Sequence, residues 1–354
     1  MLGALRAAAV AGRWRSAVGL TLAMAVASGC GDGRIPLTLY SPHGRDHLTL
    51  LEHEFERLHP EIDVRYLDLG SQEVLDRLRL ERVNPQADVW FGGPTTLFER
   101  GVQDSLLAPY RPSWAGGVDS GGIGAGDMYY PAYRTPAVIV YNNVAVPDSL
   151  APRDWEDVLE PRWHDKVLIR DPVASGTMRA IWGLILQRSL RETGDTAEGM
   201  AWLRRLDGQT RTYALSPALL DAKLARQEGL VTLWDLPDVL IARSKGMPFG
   251  YVFPSSGTVV IDDAIALVAG AQHPKEARMF IEFVGSVDGQ ILAAEKVFRL
   301  PARRDLPADR IPVWVAEVER TMKVEPMDWA LLTRKGAEWM GYWDQHVRNT
   351  GRGK

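Results

Sequence analysis

Cysteine is almost missing from this chain: Cys30 is the only one in 354 residues. No internal disulfide can form, and no cysteine-rich metal centre can be built. An excess of basic charge is missing too. The formal net charge is −4, so no cationic field favours nucleic acid, and no RNA- or DNA-reading motif is present. Beyond residue 30 no uninterrupted apolar run reaches the ~18 residues that a membrane-spanning helix needs. Catalytic signatures are lacking as well. There is no G-x-S-x-G elbow and no G-x-x-x-x-G-K phosphate loop. His53-Glu54-Phe55-Glu56-Arg57 begins like a zinc-protease helix, but Arg57 stands where the second ligand belongs. Nothing pairs an obvious nucleophile with a base. The expectation is therefore a binding protein and not an enzyme, with no cofactor and no resident metal.

What is present is ordinary in bulk and distinctive at one end. Hydrophobic residues make up 46% and charged residues 24%, which are normal globular values. The length suits roughly two lobes, at ~100–200 residues per domain. Arg6, Arg13 and Arg15 precede an apolar run over residues 17–27, and the small residues Ala27, Ser28 and Gly29 lead into Cys30. This pattern is that of a secretory signal, to be excluded from the fold. With Cys30 directly after the small residues, it resembles a bacterial lipoprotein signal. The resemblance implies cleavage before Cys30 and acylation of its thiol and new amino group. Several acyl chains anchor stably where one does not. Residues 1–29 are then the signal and 30–34 a tether. The expected location is the cell envelope, lipid-anchored on the outer side of the cytoplasmic membrane or facing the periplasm.

The body of the chain alternates strands and helices. Residues 35–40 read as a strand, with Leu37 and Leu39 alternating against Thr38 and Tyr40. Residues 46–58 read as a helix with Leu48, Leu51, Phe55 and Leu58 on one face, and Pro60 ends it. A strand at 62–66, a helix at 71–83 and a short strand at 88–91 follow. This is the pattern of a mostly parallel sheet with helices on its faces. Residues 137–141 form a strong strand and the first crossing between lobes. A second α/β set follows: strand 167–170, helices 177–193 and 200–206, a helix from Pro217 capped by Ser216, and strand 230–234. Strands 259–261 and 265–268, flanking Asp262-Asp263, carry the chain back. A helix starts at Pro274, and the C-terminal part is helical and Trp-rich. The expected division is lobe 1 over 35–136, lobe 2 over 137–258, a return to lobe 1 over 259–300, and C-terminal helices on lobe 2 over 301–350.

Two such lobes joined by more than one strand enclose a cleft, and open α/β sheets bind ligands where loops leave the carboxyl ends of their strands. Asp171-Pro172-Val173-Ala174-Ser175-Gly176-Thr177 joins a strand to a helix. Ser175 or Thr177 can cap that helix, Gly176 admits a ligand to the backbone, and the helix N-terminus favours an anion. The bland alternative is a capped helix without a ligand. Gly92-Gly93-Pro94-Thr95-Thr96 offers two glycines and hydroxyl donors, or simply a turn. Ser255-Ser256-Gly257-Thr258 is either an anion nest or a hinge turn. His43 is a candidate charge partner in the loop after the first strand, although a lone loop histidine is usually just solvated. Trp234 offers a stacking wall, and Asp235 is either an N-cap or an acceptor for a ligand hydroxyl or amine. Arg134 can pair an anion bidentately or sit on the surface.

Taken together, the chain resembles bacterial extracellular solute-binding proteins of the ferric-ion and phosphate-ester type. The matching stretches are Leu37 to Gly44, Ala87 to Gly93, Leu106 to Tyr110, Val138 to Asn142, Asp171-Pro172 with Ser175-Gly176-Thr177, and Ile261 to Val268 followed by Pro274 to Ala277. The resemblance covers nearly the whole chain after the signal. It implies the two-lobed type II periplasmic-binding-protein fold, a monomer, and delivery of the ligand to the membrane permease of an ABC importer. Ferric-binding relatives hold iron with adjacent tyrosines of the second lobe and a His or Glu of the first. Here Trp234-Asp235 stands at the tyrosine pair's place, Gly93 stands where the carboxylate would fall, and Tyr129-Tyr130 lies elsewhere. Hard Fe³⁺ wants phenolate and carboxylate oxygens. The favoured ligand is a small organic anion: a phosphonate, a sugar phosphate or a similar phosphate ester. It would be held by His43, Gly92, Gly93, Thr95, Arg134, Ser175, Gly176, Thr177, Trp234 and Asp235. The runners-up are ferric ion or a ferric chelate, and a secreted hydrolase of phosphate esters. A sensory role in place of transport fits the same sequence.

Overall fold

The structure, a computed structural model, describes residues 33–350. The signal and Cys30 lie outside the described residues. In lobe 1 the chain runs β1 (Ile35–Ser41), α1 (Gly44–Leu58), β2 (Ile62–Asp68), α2 (Ser71–Leu80), β3 (Val89–Pro94), α3 (Thr95–Gln103) and β4 (Leu107–Ala108). It then enters the long strand β5 (Tyr130–Asn142). Lobe 2 holds β6 (Val167–Arg170), α4 (Gly176–Thr193), α5 (Ala197–Gln209), β7 (Thr210–Ala214), α6 (Pro217–Ala225), β8 (Val231–Asp235), α7 (Leu236–Ser244) and β9 (Phe249–Val252). The chain returns through β10 (Val260–Val268), α8 (Pro274–Gly285), α9 (Val287–Val297) and β11 (Leu300–Pro301), and ends in α10 (Val313–Thr321) and α11 (Trp329–His346).

The main strand order is β2-β1-β3-β10-β5-β8-β6-β7. Parallel pairs lie toward the two ends, β1 with β2 and β3, and β6 with β7 and β8. Parallel neighbours need crossovers, which α1, α2, α4 and α6 help to supply. The middle is antiparallel: β10 runs against both β3 and β5, and β5 against β8. β5 belongs to both lobes. Tyr130 to Pro136 pair with β10, whereas Ala137 to Asn142 pair with β8 and β9. The return passes at Val259, whose carbonyl accepts from Ala137 N at 3.0 Å. Asp262-Asp263 does not separate two strands. β10 is continuous across it and absorbs the polar pair as a shift of register.

Each lobe has its own apolar packing. In lobe 1, Leu37, Leu39, Val64, Phe91 and Phe280 fill one cluster, and Tyr40, Val74, Trp90 and Phe98 fill another. The period-2 alternation of β1 places Leu39 in one and Tyr40 in the other. Leu48, Leu51 and Phe55 of α1 are buried, but Leu58 is half exposed because the helix ends there. Lobe 2 packs around Ile139, Leu168, Trp182 and Leu233. Trp343 of α11 meets Trp182 edge to face at 5.9 Å and is fully buried, so the C-terminal helix is part of this core. Among the described residues no helix is long and apolar enough to cross a membrane.

Candidate functional site

Strand carboxyl ends from both lobes open on one cavity of about 190 Å³. Lobe 1 contributes the ends and following turns of β1 (Pro42, His43), β2 (Asp68, Gly70, Ser71) and β3 (Gly93, Pro94). Lobe 2 contributes those of β6 (Arg170, Ser175, Gly176, Thr177), β7 (Ser216, Pro217) and β8 (Trp234, Asp235). Thr135, Ile261, Asp263 and Arg299 complete the lining. The placement follows from the topology, because βα turns of parallel strands all leave at the carboxyl end.

The same turns bring helix N-termini to the cavity. Ser175 Oγ caps α4 by accepting from Met178 N at 3.2 Å, and Ser216 Oγ caps α6 by accepting from Leu219 N at 3.2 Å. Each helix start leaves backbone donors without intrahelical partners, and its dipole end is positive. Two buried guanidiniums add positive charge. Arg170 donates through Nη1 to Ala214 O at 3.3 Å, and burial lowers its pKa. Arg299 lies at the seam between lobes, donating to His43 O and to Asp238 Oδ1, while its Nε has no partner.

Carboxylates are more numerous. Asp235 Oδ1 caps α7 by accepting from Asp238 N at 3.1 Å, and Thr177 Oγ1 lies 3.4 Å from its other oxygen. Burial first, then the charge of Asp238, holds Asp235 well above the usual carboxylate range. Burial also raises Asp238, against the opposing pull of Arg299. Asp263 accepts from Gly93 N at 3.1 Å and from the Thr135 hydroxyl, and burial raises it too. Asp68 is raised by burial and by Asp238. The site is thus polar at both signs: helix starts and guanidiniums beside a set of carboxyls that favour a proton or a cation.

Of the residues singled out from sequence, the structure brings His43, Gly93, Ser175, Gly176, Thr177, Trp234 and Asp235 together on this cavity. Gly92, Thr95 and Arg134 are not among its lining. Gly92 instead supports the His43 ring: a β-carbon at 92 would lie 2.5 Å from His43 Nε2. Thr95 is the first residue of α3. Arg134 donates to Pro301 O at 3.1 Å and pairs with Glu319 of α10. The alternation of β5 explains this, since Thr135 takes the cavity side and its neighbour faces away. The Ser255-Ser256 nest is filled from within the chain. Asp154 accepts from Ser255 Oγ, Ser256 N and Ser256 Oγ at 2.6–2.7 Å. Tyr129 and Tyr130 bond to Glu99 and Asp127, away from the cavity. Among the described residues no group of three His, Cys, Asp or Glu side chains is placed to hold a metal ion.

Sequence reasoning missed Arg170, Arg299, Asp238 and Asp263. Arg170 had a signal, as the last residue of a strand before a capped helix. Arg299 had none, since it follows α9 and reaches the cavity only through the tertiary fold. His43 lines the cavity but is nearly buried, its ring 4.5 Å from Phe91 and 4.9 Å from His47. Burial, then Arg299 and His47, hold its pKa well below the usual imidazole value.

Two α/β lobes sharing a hinge strand, with a polar cavity at the facing strand ends, define a two-lobed binding protein. Residues 85–330 match the family model of the bacterial extracellular solute-binding protein, and the chain belongs to that family. It is 26% identical over 313 residues to a probable ABC transporter periplasmic-binding protein, y4fP, of Sinorhizobium fredii, covering 88% of this chain and 86% of the relative. It is 26% identical over 256 residues to a putative 2-aminoethylphosphonate-binding periplasmic protein of Salmonella typhimurium, covering 70% and 72%. The fold is similar to that of the periplasmic binding protein AfuA from Actinobacillus pleuropneumoniae with fructose-6-phosphate bound. The TM-score is 0.77 at 19% identity, over 90% of this chain and 100% of that one. A ferric binding protein from Campylobacter jejuni shares the fold at a TM-score of 0.72 and 16% identity, over 87% and 98%.

Proposed function

We propose that this chain is the capture component of an ABC-type importer, tethered through Cys30, and that its cleft takes a small phosphonate or phosphate ester that also carries an amine. The observation that carries the reading is the pairing of two kinds of group on one cavity. The capped start of α4 and Arg170 suit an anionic head. The Asp235–Asp238 side suits an ammonium, whose charge would offset the burial that raises both carboxyls. A plain dianion would leave those carboxyls unanswered. Two relatives' names agree with this chemistry, one naming an aminophosphonate and one a sugar phosphate. Ligand contacts to both lobes favour the closed arrangement, and a permease that reads only that arrangement receives loaded protein.

The test is calorimetric titration of the purified protein with 2-aminoethylphosphonate, ethylphosphonate, fructose-6-phosphate and ferric citrate. The amine-bearing phosphonate is expected to bind at least tenfold tighter than ethylphosphonate, a difference of about 1.4 kcal/mol. Ser175→Ala with Thr177→Ala is expected to weaken it further. Binding of iron with a coloured complex, and of none of the phosphorus compounds, would overturn the reading in favour of iron capture. Turnover of a bound ester would replace it with a hydrolase.

A further inference from the structure

A second cavity lies where α3 of lobe 1, α4 of lobe 2 and the C-terminal helix α11 meet. Its volume is about 20 Å³, room for a single water-sized or slightly larger particle. The wall is mostly apolar, with Leu97, Trp329, Leu332, Trp339 and Met340 among its residues. Its charged residues are two arginines, Arg100 from α3 and Arg179 from α4, and no carboxylate lines it. Among the described residues neither arginine has an ion pair. Arg100 donates through Nη2 to Thr333 O at 3.2 Å, and Arg179 donates to Val173 O. These bonds leave further N–H groups on both guanidiniums. The acidic neighbours Asp76 and Asp104 are engaged with Arg79 on the surface.

Two like charges therefore face one small, mostly apolar space from opposite lobes. Burial lowers both, Arg179 to about 10; a neighbouring arginine lowers each further, Arg79 for Arg100 and Arg100 for Arg179, and Asp76 with Asp104 or Asp171 offsets part of this. The repulsion that remains pushes α3 and α4 apart at a point where lobe 1 and lobe 2 touch. We propose that Arg100 and Arg179 form a second anion site, of halide size, that fastens lobe 1 to lobe 2 beneath α11. The site is separate from the solute cleft and does not rest on the identity of the solute. A monatomic anion fits the volume, collects N–H donors from both guanidiniums, and cancels their repulsion across the seam.

The experiment compares thermal unfolding of the purified protein in sodium chloride, sodium bromide and sodium gluconate at equal ionic strength. Gluconate is too large for the cavity. Wild type is expected to gain about 2 °C in either halide over gluconate, saturating with concentration. Arg100→Gln and Arg179→Gln are expected to lose the difference, and in gluconate to be at least as stable as wild type because one of the repelling charges is gone. A merely structural arginine would destabilise equally in every salt. Bromide anomalous scattering from wild-type crystals supplies an arm independent of the variants, with a peak expected between the two guanidiniums. No halide dependence in wild type overturns the proposal, and so does a bromide peak without it, which would mark an adventitious ion only.

Discussion

Arg299 donates through Nη2 to Asp238 Oδ1 at 3.3 Å, so a guanidinium that follows the last long helix of lobe 1 is bonded to the first turn of α7 in lobe 2. The same nitrogen reaches His43 O at 3.2 Å. The arginine is almost wholly buried and Asp238 is partly exposed. Arg299→Met removes the cation, leaving Asp238 beside Asp235 without it. A charge-assisted bond contributes about 1.5–3 kcal/mol, and the buried His43 carbonyl loses its donor as well. Urea unfolding is expected to show a loss of about 2–4 kcal/mol. A loss below about 0.5 kcal/mol would mean that the contact between lobes carries no weight.

Gly176 packs closely against the other lobe. A β-carbon there would lie 2.6 Å from Pro94 Cδ and 2.8 Å from Ser71 Oγ, both in lobe 1. Within its own helix an alanine is welcome, since it is the better helix former. Gly176→Ala is therefore expected to leave the unliganded melting temperature within about 2 °C while holding the lobes apart. Ligand affinity should fall by at least about tenfold, and the ligand-induced drop in radius of gyration by small-angle scattering should shrink. Unchanged affinity and scattering would show that the lobes close without this contact.

Much of this arrangement was legible in the sequence, for physical reasons that differ by element. Helical spacing marks α1 because it buries one stripe, and the alternation of Leu37 and Leu39 marks β1 although Tyr40 is buried on its other face; α4 carries no such stripe, being buried nearly all round from Ala180 to Leu186. The caps of α4 and α6 are local, and Ser175 and Ser216 announce them. What stayed hidden is non-local. The strand of β5 extends back through Pro131 and Pro136, residues that read as breakers but are admitted where bulges and edges relieve the missing N–H. β7 and β9 lacked a strong alternating signal. The carboxylates Asp238 and Asp263 enter the cavity only because two lobes fold against each other. The error at Arg134 is one of facing: a strand fixes side by parity, and sequence alone did not say which parity met the cleft.

Gly92 and Gly93 are adjacent, both with φ near +95°, yet they are not equivalent. At 93 a β-carbon would meet Ser71 at 3.4 Å, an ordinary contact, so alanine there suffers mainly from the left-handed backbone. At 92 it would also strike the buried His43 ring at 2.5 Å. Gly93→Ala is expected to cost about 1–2 kcal/mol and Gly92→Ala about 3 kcal/mol or more, from strain plus clash. Equal losses in denaturant titration would place the whole effect in the backbone and none in the ring contact.

His43 and His47 are both buried, and the nitrogens of His47 and Nε2 of His43 have no hydrogen-bond partner. Tyr133, Phe91 and Arg299 surround them without a carboxylate to welcome a proton. Burial first, then the charge of Arg299, holds both imidazoles well below 6.5. In the unfolded chain each takes a proton near pH 6.5, and in the folded chain neither does until much lower. The unfolded state thus binds more protons below pH 6.5, and stability falls as pH drops. Asp221 works in the opposite sense. Burial, then Asp238, pushes it up to about 7 from 3.8, so it gives stability as pH falls from above 7 toward its unfolded value. Below pH 6.5 each histidine contributes a downward slope of up to about 1.4 kcal/mol per pH unit, opposed by Asp221 and by the other carboxyls that burial raises, Asp235 and Asp262 among them. His47→Leu removes one of the two downward contributions and should shift the slope of the acid limb by up to that amount toward stability, while Asp221→Asn should reduce the gain in stability as pH falls through 7. Urea unfolding at half-unit steps from pH 8 to 5 reads both. An acid limb unchanged by His47→Leu would mean that His47 takes up its proton in the folded chain, and that its orphaned nitrogens are met by water.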